Sequence, residues 1–241
     1  MKKIAFVSLA LSSLLLAQEG GTDLTTHTQL GYIATKGNTH TESFSFDTNW
    51  KKEFGKNAIA WQFSAQYGKA EDTTGEYTTN KNKFFTELDY DYSLSSRFAV
   101  SYLAGYKHDK FSSYRYQFYT GPGAKYKAIK TTAHDLSVEG SVLYSRDEFI
   151  ADNSTNDYTS LQAKAIYNYQ MTESLKFSQV LSYRVDVEDV DTYFIYSDSS
   201  LLAKISDTLS AGFGYKVDYV NQPGDKDHTD QTLLATLSID Y

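Results

Sequence analysis

The sequence predicts an all-β fold: a transmembrane antiparallel up-and-down β-barrel of about twelve strands, following a cleaved signal peptide. Three observations predict it. Apolar residues fall on every second position through most of the chain, the period of a strand with one oily and one wet face. The runs between breaks are mostly of roughly 11–15 residues, against about 5–6 for a soluble strand and about 9–11 for a tilted strand crossing a bilayer. The N-terminus reads as an export signal.

In chain order, that signal comes first. Lys2 and Lys3 precede an apolar stretch from Ile4 to Leu16, and Ala17 offers a small residue for cleavage. The expected division is residues 1–17 as signal peptide and 18–241 as barrel. The apolar stretch is shorter than the roughly 20 residues of a spanning helix, and no later segment approaches that length.

Strands are predicted over 24–34, 41–54, 58–70, 80–93, 97–109, 115–127, 133–147, 157–170, 175–187, 191–204, 208–220 and 229–241. Ile59, Trp61, Phe63, Ala65 and Tyr67 make the apolar face of the third. Phe98, Val100, Tyr102, Ala104 and Tyr106 make that of the fifth, and Leu209 to Tyr219 that of the eleventh. The tenth is diluted by Ser197 and Ser199. Breaks alternate between short turns and longer polar loops, apart from the short 188–190 break on the longer side. An even strand count puts both termini at one end, expected to be periplasmic, and lets the first strand pair with the last. The last strand ends on Leu233, Ala235, Leu237, Ile239 and Tyr241. Tyr241 is expected to serve as an insertion signal for the barrel-assembly machinery. A soluble sandwich or lipocalin-like barrel would instead have shorter strands.

Aromatic residues add position to period. Tyr32, Tyr67, Tyr106, Tyr116, Tyr144, Tyr183 and Tyr219 sit near the longer loops. Trp50, Phe54, Tyr92, Phe98, Tyr126, Tyr169 and Phe177 sit near the short turns. Two such rows are the expected girdles at the two headgroup layers, implying outer-membrane lipid and lipopolysaccharide as surroundings.

Composition excludes several functions. There is no cysteine, so no disulfide framework and no cysteine metal site. The formal net charge of −7 disfavours nucleic acid as a partner.

Two stretches carry a family resemblance. One holds Gly31, Tyr32, Thr35, Gly37 and Asn38. The other holds Tyr114, Arg115, Tyr116, Gly121, Gly123 and Tyr126. With these, the mature chain resembles a family of uncharacterised bacterial proteins described as salt-induced outer membrane proteins. The resemblance implies an outer-membrane barrel and no established activity. Pro122 departs from the pattern and is expected to interrupt one ladder hydrogen bond. Gly37 and Asn38 read first as a hairpin turn. Gly121 and Gly123 are expected on the lumen side, for a bend or for packing by a neighbour across the lumen.

The other face of the strands carries charge of both signs. The expected lumen-lining residues are Glu87, Asp89, Asp91, Lys107, Arg115, Lys125, Lys127, Glu139, Arg184 and Lys216. Asp47, Lys164 and Asp218 belong to the same rows. Such an inventory suits a salt-bridged structural lumen, for which the resemblance implies an envelope or stress role, or a narrow channel for small polar or charged solutes.

A lipid-modifying enzyme is the other alternative. None of the five histidines lies two residues before a serine on one strand face, and His108 falls on the lipid face. No catalytic residue, cofactor or metal is expected. The acidic loop around His228 reads as solvated rather than as a cation site.

Overall fold

The computed structural model describes residues 24–35, 41–71 and 75–240, with side chains from Leu24 to Tyr32 in the first of these. The signal segment, the Gly37-Asn38 turn and Tyr241 lie outside the described residues. The strands are β1 (Leu24–Thr35), β2 (Thr41–Phe54), β3 (Asn57–Glu71), β4 (Tyr77–Ser93), β5 (Phe98–Asp109), β6 (Tyr114–Lys130), β7 (His134–Phe149), β8 (Thr155–Gln170), β9 (Leu175–Asp186), β10 (Tyr193–Lys204), β11 (Leu209–Val220) and β12 (Thr229–Asp240). Each pairs antiparallel with its chain neighbours, and β12 returns to β1 to close the ring. That seam runs from His27 opposite Asp240 to Tyr32 opposite Ala235. Closure leaves no sheet edge to face lipid.

The alternation decides which face looks out. Tyr32, Leu88, Tyr102, Val142, Phe213 and Leu233 are all more than half exposed, on the outer wall. Rings on that wall stack from strand to strand near the loop end. Phe84 lies 5.7 Å from Tyr106, which lies 5.7 Å from Tyr116, and Tyr193 lies 5.8 Å from Tyr219. At the turn end His134 stacks on Tyr169 at 4.5 Å. Polar groups on this wall find partners, as a face without water requires. The Trp50 indole N–H donates to Thr48 and that of Trp61 to Thr86, each at 2.9 Å. The dilution of β10 has the same explanation. Gln179 of β9 donates to Ser197 at 2.9 Å and accepts from Ser199 at 2.5 Å, so the three satisfy one another.

The strand assignments agree with the sequence except at a few ends. β4 begins at Tyr77 and β6 runs on to Lys130, each three residues beyond expectation. Gly121 and Gly123 face inward, but what approaches them is local. A Cβ on Gly121 would stand 2.2 Å from the Val142 carbonyl of neighbouring β7. The close neighbour is therefore the adjacent strand and not a group across the lumen. The β6–β7 ladder skips Gly121 and Pro122, as a proline without an N–H requires.

Candidate functional site: a lumen divided by ion pairs

The inner wall is where the charges are. In a twelve-strand ring, β5 and β11 stand opposite each other, and their side chains meet. Lys107 of β5 donates to Asp218 of β11 at 2.8 Å. Lys83 of β4 donates to Asp218 and to Asp230 of β12, both at 2.7 Å. Lys81 reaches Asp230 at 3.2 Å and the Thr232 hydroxyl at 2.6 Å. These residues form a bar across the lumen near the loop end. Long lysine stems make it, because only they span the gap from wall to wall.

A second bar lies deeper. Lys164 of β8 donates to Glu87 of β4 at 2.7 Å, and the Tyr119 hydroxyl donates to the other oxygen of Glu87 at 2.7 Å. Tyr119 is on β6, two strands from Glu87, and its reach depends on Gly105 between them. A Cβ on Gly105 would meet the Tyr119 ring at 2.2 Å. The missing side chain is the space in which the ring lies flat. Toward the turn end, Lys125 sits among three carboxylates: Asp89, Asp91 at 2.8 Å and Glu139 at 3.7 Å.

Three cavities follow one another along the axis. One of about 710 Å³ opens at the turn end, a middle one has about 130 Å³, and one of about 240 Å³ lies under the loops. Glu87 and Lys164 border both the first and the middle cavity. Lys83, Lys107 and Asp218 border both the middle cavity and the last. The partitions are thus the two bars themselves. Above the last cavity the β11–β12 loop leans over the mouth: the Tyr114 hydroxyl donates to the Gln222 carbonyl, and Asn221 donates to that of Asp191.

Of the residues singled out in the sequence, Glu87, Asp89, Asp91, Lys107, Lys125, Glu139, Arg184 and Lys216 border these cavities or pair within them. Lys127 lies at the turn-end mouth and is exposed. Arg115 does not line the lumen. The β6–β7 register shifts between Tyr114 and Tyr116, so Tyr114 turns inward. Arg115 is left exposed, 3.0 Å from Glu148 and bonded to Asn153. A bulge of this kind re-aims a side chain that strict alternation would point inside.

The sequence reading omitted Lys81 and Lys83, which share the parity of Glu87, and Tyr119, Tyr158 and Tyr196, which share the parity of charged neighbours. That parity was the available signal. It also passed over the β1–β12 seam, where His27, Asp240 and the buried Ser238 meet. There both oxygens lie on the same ring nitrogen, Nδ1, so no relay through the imidazole is formed. His108 packs at a tilt against Phe84, ring centres 5.5 Å apart, on the outer wall. His228 donates from Nδ1 to the Val220 carbonyl at 3.0 Å.

Residues 28–241 match the family described as Protein of unknown function, DUF481. The chain belongs to that family. The Escherichia coli (strain K12) protein described as Uncharacterized protein YdiY is 25% identical to this DUF481 barrel over 222 residues, covering 88% of this chain and 80% of that one. Among solved structures, the NanC porin is similar with a TM-score of 0.49 at 11% identity, covering 89% of this chain and 97% of that one. The translocator domain of the autotransporter NalP from Neisseria meningitidis is similar with a TM-score of 0.47 at 10% identity, covering 100% and 97%. The closed ring, the apolar outer wall and the charged lumen make this DUF481 protein a β-barrel of the outer-membrane kind.

Proposed function

We propose that this barrel is a narrow channel for small polar or charged solutes, held shut at rest by lysine–carboxylate bars. The observation that carries this reading is the row of three cavities. Among the described residues, what separates them is side chains and not a loop or helix folded into the lumen. A lysine can swing away from one carboxylate to another through rotamer changes, which are fast, whereas a structural filler would be expected to pack the lumen without voids. In this proposal the turn end, with Leu24 and Asp240, faces the periplasm, and the chain reaches the outer membrane through its signal peptide and the assembly machinery. No cofactor, metal or catalytic step is part of it, and any link to salt or envelope stress rests on the resemblance alone.

The test is planar-bilayer recording of the purified barrel and of variants that weaken a bar, such as Lys83→Ala. The wild type is expected to show small, flickering conductance, and the variants a larger and steadier one. Silence in the wild type and in every bar variant contradicts a channel and leaves a purely structural lumen.

A further inference from the structure

The middle cavity holds a cation that the bars do not use. Its wall carries Lys83, Lys107, Lys164, Arg184 and Lys216 against the carboxylates of Glu87 and Asp218. Each of the four lysines has a carboxylate partner. Arg184 has none within 4 Å among the described residues, and its Nη1 makes no hydrogen bond. Yet it is buried, with 6% of its surface exposed. The Asp147 charge acts on it from beyond contact distance, and a buried guanidinium with no ion pair in contact is costly, which leaves a place for a closer partner.

The surroundings fix how that partner approaches. The guanidinium carbon lies 4.5 Å from the centre of the Tyr119 ring and 4.8 Å from that of Phe194. Two rings against it hold the group in place, and its buried Nη1 is left without a hydrogen-bond partner. The natural complement of a guanidinium edge is a planar two-oxygen anion. Asp147 does not supply it. One of its oxygens accepts from Tyr158 at 2.8 Å and from Gln117 at 3.3 Å, and the other stays without a partner. The cavity, at about 130 Å³, has room for roughly four waters, or for an anion of a few heavy atoms.

We propose that the middle cavity is a binding site for a small carboxylate anion, with Arg184 as its anchor. The inference deepens the channel reading by naming its solute class, and it rests on that reading for the anion's way in. Binding and conduction are therefore measured separately.

The probe is ¹³C-labelled acetate added to the full barrel in detergent micelles, with acetamide as neutral isostere and inorganic phosphate as a second oxyanion. Acetate is expected to bind saturably and acetamide not at all. Arg184→Gln is expected to weaken acetate by about tenfold or more, and Arg184→Lys by less, since charge survives but the two-point edge does not. If Arg184→Gln fails to assemble, Arg184→Lys and Phe194→Leu carry the test, each weakening acetate. Acetate binding that is unchanged in the assembled variants, or phosphate binding as tight as acetate, overturns the assignment. A barrel that binds acetate but never conducts removes the channel and keeps the site. One that conducts while acetate neither binds nor blocks removes the site and keeps the channel.

Discussion

The two ends of the lumen solve one problem differently. Under the loops, Lys83 and Lys107 converge on Asp218, and Asp230 takes Lys81 and Lys83, so cations and carboxylates nearly cancel in a tight bar. Toward the turns, one lysine, Lys125, faces Asp89, Asp91 and Glu139 beside the largest cavity. A closed gate needs matched charge at short range, because little water is there to screen an excess. A wide, hydrated vestibule tolerates an acidic surplus. In the proposed channel, the loop end would set whether the lumen is open, and the turn end which ions gather below it.

The strongest way to break this contrast is Asp218→Asn. It takes from Lys107 its carboxylate partner and leaves Lys83 with Asp230 alone, and losing one member of a buried ion pair typically costs about 3–5 kcal/mol. The expected result is a lowered thermal transition in detergent together with a more conductive lumen. Glu87→Gln strands only Lys164 and keeps an acceptor for the Tyr119 hydroxyl. Its transition is expected to fall by less, roughly half as far. Lys125→Met comes next. Its three carboxylates border the large cavity, where water can take part of the load, so a cost of about 1–2 kcal/mol is expected. The clearer sign is a reversal potential displaced toward cation preference. Arg115→Ala is expected to do least. Its bond to Glu148 is on the surface, so a change below about 1 kcal/mol and an unaltered reversal potential are predicted. A strong shift in selectivity there would return Arg115 to the lumen.

Much of this was legible in the sequence, for a physical reason. Period two over long runs is a local signal, and a barrel repeats it at every strand, so Phe98 to Tyr106 and Leu209 to Tyr219 announce their faces unaided. The charged rows follow from the same parity. What parity does not encode is which charge meets which across the ring. Lys107 and Asp218 are 111 residues apart in the chain, and nothing local links them. Nor does it encode a bulge, which is why Arg115 was expected inside, or a hollow such as Gly105, which exists for a ring on another strand. Tyr119 and Phe194 share the inward parity and pack against Arg184, a contact between strands that parity alone does not announce.

In the proposed channel, side chains alone close the lumen. The most direct measurement is the single-channel conductance of Lys83→Ala/Lys107→Ala/Asp218→Ala beside the wild type in the same bilayer. This triple change shortens the bar and strands neither the two lysines nor Asp218 against a missing partner, so the barrel should keep its fold. A severalfold rise in conductance with unchanged assembly is the predicted result. A correctly assembled triple variant that conducts no better than the wild type would contradict the claim.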